Sequence, residues 1–316
     1  MKCRVCGNEH GNRPYTTLEM MFGFRDEFEY FQCSKCGCLQ ISEYPNDVEK
    51  YYGNSYYSYQ DASYKNSIKI YLLKQRDRYE ISHKGIMGRL LSLKSPNKSL
   101  RMFSEVLDNN NKAILDVGCG WGRFLRNLHS IGFNNLTGVD PFIENDLTID
   151  DGFKIYKKKL NDLSGNYDVI FFHHSLEHMP HQANVFKGIS KLLSKNGVCV
   201  IRIPVSSSYA WEHYGVNWVQ LDAPRHYYLH SISSLGVLAE NAGLKVSQIK
   251  YDSTAFQFWG SEQYVKNIPL RDKRSLAEGG TIFSKSQLTE YEQKANDLNL
   301  SDRGDQAVFF LTHAHV

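Results

Sequence analysis

Residues 114–124 read Ile-Leu-Asp-Val-Gly-Cys-Gly-Trp-Gly-Arg-Phe, and no other run in the chain constrains the fold as much. Apolar residues lead into Asp116, then Gly118, Gly120 and Gly122 alternate ahead of a helix-prone stretch from Arg123 to Ile131. The pattern is a strand, a tight glycine turn and the start of a helix. Glycines let the backbone approach a ligand closely, and the free N–H groups at the helix start face it. The spacing is G-x-G-x-G rather than the G-x-G-x-x-G of dinucleotide folds. A second short strand, Leu136 to Val139, ends in Asp140. An acid at that strand end suits the two hydroxyls of a ribose.

Together the turn, the acid at this distance and the alternating strands and helices that follow resemble the class I S-adenosylmethionine-dependent methyltransferases. The resemblance covers about residues 100–312 and implies an α/β fold, a Rossmann-like sheet of seven strands with the last one antiparallel. It places Asp116, Gly118, Cys119, Gly120, Gly122, Asp140, Pro141 and His173 around the cofactor. It also implies that a polar residue before the fourth strand of the core meets the adenine amine, which points to Asp162 in Asn161-Asp162-Leu163. Expected core elements are strands at 113–117, 136–139, 154–156, 167–172, 198–203, 244–251 and 307–312. Helices are expected at 123–131, 182–193 and 233–241, the second stopping at Asn196-Gly197. Residues 253–304 read as an insertion over the mouth of the active site.

Ahead of this core stand two C-x-x-C knuckles, Cys3-Arg4-Val5-Cys6 and Cys33-Ser34-Lys35-Cys36, each followed by glycine. Four thiolates on two knuckles make a tetrahedral site for a structural zinc ion. The intervening residues fit a hairpin, Thr16 to Met20 and Phe28 to Phe31. So small a module buries little core, and the metal is expected to hold it together. The expected organisation is a zinc ribbon at 1–42, a tyrosine-rich and helical connector or lid at 43–108, and the methyltransferase domain at 109–316. In the connector, Tyr56 and Tyr57 offer flat apolar faces with hydroxyls, suited to a sugar ring or the adenosyl group.

Composition narrows the partners. A net charge of +3 argues against a dedicated nucleic-acid binder. No apolar run is long enough to span a membrane, and Met1 to Cys6 lacks the apolar core of a signal peptide. A cytoplasmic protein is expected, whose seven cysteines serve as metal ligands or buried thiols rather than disulfides. The oligomeric state is left open.

The fourth core strand runs into His173-His174-Ser175-Leu176-Glu177-His178, where His174, Glu177 and His178 stand at i, i+3 and i+4. The segment Asp222-Ala223-Pro224-Arg225-His226 supplies another imidazole after the fifth strand. The whole chain is similar to bacterial methyltransferases of surface-polysaccharide (O-antigen and capsule) gene clusters. His174-x-x-Glu177-His178 with His226 is also similar to the metal-binding E-x-x-E-H plus distant His of small-RNA 2′-O-methyltransferases and ubiquinone-pathway O-methyltransferases. This chain departs by having His174 where those have Glu, which favours manganese, iron or zinc over magnesium. Three readings stay open: His226 is a general base, the four residues hold a second divalent metal, or Glu177 and His178 only fix the loop. Asp222 and Arg225 orient His226, grip the phosphate of a carrier, or pair locally.

The expected activity is methyl transfer from S-adenosylmethionine to a sugar hydroxyl, the acceptor being a sugar, nucleotide-sugar or glycan. Catalysis is then in-line placement plus removal of the hydroxyl proton. The sugar acceptor rests on the resemblance. Related sugar C-methyltransferases share the zinc module and core but carry a long second C-terminal domain. RNA methylation and a non-catalytic scaffold held by zinc are the remaining alternatives.

Overall fold

A computed structural model describes residues 1–52, 67–149 and 152–315. Tyr56 and Tyr57 lie outside the described residues. The chain divides into two compact units, one of Met1–Asn54, His174–Ser190 and Ile201–His315, the other of Ser55–His173 and Lys191–Val200. Among the described residues no helix is long and apolar enough to cross a membrane.

In the first unit, β1 (Arg13–Leu18) and β2 (Glu27–Gln32) form the expected antiparallel hairpin, with Arg13 opposite Gln32 and Leu18 opposite Glu27. Its connection is held by Glu19, a fully buried carboxylate that accepts from the backbone N–H groups of Phe22 and Phe24, each at 2.9 Å. β3 (Leu39–Ile41) pairs antiparallel with β2.

The second unit contributes the next elements. Helices α1 (Ser67–Ser82), α2 (Ile86–Lys94) and α3 (Lys98–Met102) precede β4 (Ile114–Val117), α4 (Arg123–Ser130), β5 (Leu136–Val139), β6 (Leu147–Ile149), β7 (Phe153–Tyr156) and β8 (Tyr167–His173). α5 (Gln182–Leu192), which belongs to the first unit as far as Ser190, leads into β9 (Leu193–Pro204), a strand whose two ends belong to different units. Asn196-Gly197, expected to stop the helix, therefore lies inside β9.

The strand order in this unit is β9-β8-β4-β5-β7-β6. β4 runs parallel to β5 and β8, β5 runs parallel to β7, and β6 is antiparallel to β7. Val117 is level with Val139 and with Phe172, so Gly118, Asp140 and His173 emerge together at one edge of the sheet. That register carries the cofactor loop. β6 is one strand more than the sequence led us to expect, because a three-residue edge strand is too short to show periodicity.

The remaining elements belong to the first unit. These are α6 (Tyr209–Tyr214), β10 (Tyr228–Leu229), α7 (Ile232–Asn241), β11 (Leu244–Tyr251), α8 (Phe256–Val265), α9 (Lys285–Leu300) and β12 (Gln306–His313). β12 is antiparallel to β11 and neighbours β9. Residues 253–304 carry α8 and α9. α8 packs on the turn at Val219–Leu221: Ser261 Oγ accepts from Val219 N at 3.0 Å, and a side chain at Gly260 would collide with Val219.

The N-terminal hairpin is not a free-standing ribbon. β10 adds to its sheet, placing Tyr228 opposite Gln40 of β3. Ile41 N donates to Tyr227 O at 3.0 Å, and the buried Tyr30 hydroxyl donates to His226 O at 2.8 Å. The segment from Asp222 to Leu229 thus completes the sheet that begins with the cysteine knuckles.

Candidate active site and metal centres

In the second unit, β4 delivers Asp116 to the sheet edge and the chain turns at once through Gly118, Gly120 and Gly122, all at positive φ. Gly122 has φ +72° and a Cβ there would sit 2.5 Å from Ile155, so a side chain is excluded on both grounds. Cys119 packs inward, its sulfur 2.7 Å from where a Cβ on Gly138 would lie. Asp140 braces the turn: its carboxylate accepts from Gly120 N and Phe142 N, both at 2.9 Å.

Asp116 is 3% exposed, and burial together with the neighbouring Asp140 charge pushes its carboxyl up to about 7. Asp140 is also raised by burial, against the pull of its two N–H donors. These buried acids suit a ligand that brings positive charge and hydroxyl donors, as S-adenosylmethionine does. The turn holds one further polar group that the sequence reading passed over. Trp121 Nε1 is buried with no acceptor among the described residues, a donor left for a ligand. Its position between Gly120 and Gly122 was the available signal.

Two other residues assigned to the cofactor lie in the same unit. His173 ends β8 among aromatic rings, with centroids 5.8 Å from Phe124 and 6.3 Å from Phe103. Asp162 is exposed and closes a short 3-10 turn by accepting from Lys159 N at 3.2 Å.

The histidine cluster lies wholly in the first unit. Glu177 and His178 sit on the 3-10 turn Leu176–His178, and His226 follows the cis Ala223–Pro224 bond. One oxygen of Glu177 and one ring nitrogen each of His178 and His226 lie within 4.8 Å of one another. His178 Nδ1 is 2.9 Å from Arg225 O, and His226 Nδ1 is 2.8 Å from Gln220 O. A carbonyl oxygen only accepts, so both rings carry a proton on Nδ1, which leaves Nε2 as the atom each can offer to a ligand. Burial, with the nearby His226, lowers His178 to about 4 and keeps it neutral.

Glu177 is fully buried and neither carboxylate oxygen has a hydrogen-bond partner among the described residues. His174 Nδ1 lies 3.4 Å from Glu177 Oε1, outside the three-residue group, and burial lowers it to about 3. Two imidazoles that can each offer Nε2 and a buried carboxylate without hydrogen-bond donors fit a divalent transition-metal ion. The geometry gathers three of the four residues named from the sequence and leaves His174 at the edge.

Arg225 is fully buried. It forks onto both oxygens of Asp222, donates to Tyr51 O at 2.7 Å, and lies 3.4 Å from Glu19. Its donors are engaged within the unit, so of the roles open to it the local pair and the orientation of the loop are the ones its contacts serve. Burial pulls the Asp222 carboxyl up, but the Arg225 charge and hydrogen bonds outweigh it and leave Asp222 below the usual range. Asp222 Oδ2 lies 3.7 Å from His226 Nε2. Glu19 and Tyr51, which complete this cage, are a second omission from the sequence reading. They lie some two hundred residues from Arg225 along the chain, and nothing local marks them.

The four cysteines come together. Cys3 and Cys36 sulfurs are 3.6 Å apart, Cys6 and Cys33 are 3.5 Å apart, and all four lie within 4.8 Å of one another. A zinc ion with bonds of about 2.3 Å places tetrahedral sulfurs about 3.8 Å apart, so the donor set fits zinc. Gln40 Nε2 donates to Cys3 at 3.2 Å and Cys36 N to Cys33 at 3.5 Å, the outer contacts such a centre uses. Cys38 stays outside, buried beside His230.

Comparison with known proteins agrees with the loop. A family model described as a methyltransferase domain matches residues 92–249, half of the chain. The ubiquinone biosynthesis O-methyltransferase of Psychrobacter cryohalolentis is 26% identical over 190 residues, 52% of this chain and 73% of that protein. Among solved structures, an S-adenosylmethionine-dependent methyltransferase from Mesorhizobium loti aligns with a TM-score of 0.44 at 15% identity, covering 67% of this chain and 96% of that one. One from Archaeoglobus fulgidus aligns with a TM-score of 0.42 at 17% identity, covering 68% and 91%. The chain belongs to the methyltransferase-domain family and is an S-adenosylmethionine-dependent methyltransferase.

Proposed function

We propose that the enzyme methylates a hydroxyl oxygen of a sugar, and that Glu177, His178 and His226 bind the divalent ion that prepares that hydroxyl. The observation that carries the metal reading is Glu177. A buried carboxylate with no hydrogen-bond donor is destabilising by several kcal/mol, and a cation held between it and the two imidazoles removes that penalty. When bound, such an ion supplies Lewis acidity that lowers the hydroxyl pKa. Arg225 O and Gln220 O hold the two rings in the tautomer that offers Nε2. Asp222, fixed by Arg225, stands 3.7 Å from His226 Nε2. That carboxylate also favours a second reading, in which His226 takes the hydroxyl proton itself and Asp222 stabilises the imidazolium.

The O-methyltransferase relative supports oxygen as the acceptor atom. The sugar rests on the resemblance to surface-polysaccharide enzymes, and cytoplasmic nucleotide-sugars or glycan ends are the acceptors it points to. Cys3, Cys6, Cys33 and Cys36 hold a structural zinc ion in this reading, and nucleic acid is not a partner.

Elemental analysis of the purified protein, together with turnover on a panel of nucleotide-sugars and oligosaccharides, tests this. Two metal equivalents, one lost in His178→Ala, and a product heavier by one CH₂ are expected. A single zinc equivalent with unimpaired turnover would pass the proton to His226 alone. Methylation of RNA but of no sugar would sink the acceptor assignment.

A further inference from the structure

The first unit contains a cavity of about 260 Å³ that none of the assigned residues enters. Its walls are Arg4, His181, Asn184 and Tyr228, with Val5 and Leu238 on the apolar side, and no acidic residue lines it. Arg4 is held in place rather than free to swing. Its guanidinium donates to Ser42 O at 2.5 Å and Gln40 Oε1 at 3.4 Å, and lies over the rings of Tyr44 at 4.7 Å and Tyr228 at 5.8 Å. A guanidinium has five N–H donors, so donors remain for a ligand. Gln182, Ala183 and Asn184, in the first turn of α5, also line the cavity, and that end of a helix carries positive potential. Tyr44 and Tyr228 share a 2.6 Å hydroxyl contact beside it.

The volume decides what fits. It is below the range of roughly 300–1,000 Å³ typical for a whole small-molecule ligand, so it suits a compact charged head with the remainder outside. A fixed guanidinium in a cavity that no carboxylate lines selects an anion with several acceptor oxygens.

We propose that this cavity binds the phosphate or diphosphate group of the carrier to which the acceptor sugar is attached. The proposal rests on the sugar reading above and narrows it to phosphorylated acceptors. Chain connectivity supports it: His181 is three residues from His178, at most about 11 Å along the backbone, within reach of one sugar ring. Arg225, which the sequence offered for this task, is enclosed in its own ion pairs, whereas Arg4 on the first cysteine knuckle is available.

Calorimetric titration of the full-length, zinc-loaded protein with inorganic pyrophosphate and with uridine diphosphate tests the site. Saturable pyrophosphate binding that weakens with added salt is expected. Arg4→Gln and Asn184→Asp should each weaken it roughly tenfold or more, with S-adenosylmethionine binding unchanged. Asn184→Asp places an acid in the first turn of a helix, which favours the helix while repelling the anion, so its loss of binding does not reflect unfolding. Tighter binding of uridine diphosphate than of pyrophosphate would assign the phosphate to a soluble nucleotide-sugar, and equal binding to a carrier lying outside the cavity. Pyrophosphate binding that neither variant changes, or none in a protein that binds S-adenosylmethionine, would overturn the proposal. Pyrophosphate binding without methylation of any sugar would instead sink the sugar reading and leave the anion site standing.

Discussion

Asp116→Asn should make the ligand-free protein more stable and a poorer enzyme. The folded protein holds the Asp116 carboxyl at about 7 against an ordinary 3.8, because burial and then Asp140 disfavour the anion. Between those two values the folded state keeps a proton that the unfolded chain has released. Stability therefore falls as pH rises through the window, by about 1.4 kcal/mol for each pH unit, and levels off above about pH 7. The whole penalty is on the order of 4 kcal/mol.

An asparagine does not titrate, so the stability difference between variant and parent isolates this group, with its coupling to Asp140, from the remaining acids and histidines. It should grow by about 2 kcal/mol between about pH 5 and pH 7 and by only a few tenths beyond. Urea unfolding followed by tryptophan fluorescence across that range reads it directly. The same variant should bind S-adenosylmethionine more weakly by calorimetry, because the cationic cofactor draws the carboxyl to its charged form. A difference that stays constant within about 1 kcal/mol from about pH 5 to pH 8 would refute the assignment of a buried, protonated Asp116.

Other perturbations separate the remaining parts. Glu19→Ala removes a partner of the buried Arg225 and the acceptor for Phe22 N and Phe24 N, and should cost about 3 kcal/mol by urea midpoint. His226→Ala should lower kcat by about a hundredfold or more while leaving S-adenosylmethionine affinity intact, and unchanged turnover would remove His226 from both readings. Cys33→Ser should lose one zinc equivalent by elemental analysis and lower the melting temperature together, since the metal and the N-terminal fold are coupled. Trp121→Phe keeps the ring but removes the buried Nε1–H, and should weaken cofactor binding several-fold with little change in stability.

Much of the fold is local in origin and was therefore legible. The glycine alternation after Ile114–Val117 fixes a turn through φ alone. The knuckle glycines Gly7 and Gly37, both at φ +73°, do the same for the cysteine pairs. Strands β5, β8, β11 and β12 came out near their expected bounds because apolar residues recur along each between breakers. The apolar spacing at Ile68, Tyr71, Ile86, Leu90 and Leu93 also marked α1 and α2. These side chains nonetheless stand exposed, which periodicity cannot foresee because it identifies a face and not what covers it.

What the sequence determined by itself is chemistry that depends on neighbours a few residues apart: the cofactor turn, the acid at the end of β5, and two thiol pairs. What only the tertiary structure decided is which distant groups share a low-dielectric space. His226 meets Glu177 and His178 because β10 docks on the sheet of the N-terminal hairpin. Arg225 is enclosed because Glu19 and Tyr51 come from that hairpin and its continuation. His174, at the same helical spacing as its partners in the sequence, reaches Glu177 but stays outside the three-residue group, because the chain there makes a single 3-10 turn with His174 at positive φ rather than an α-helix. Burial and long-range packing keep His174 and His178 neutral, and neither is a property of sequence spacing.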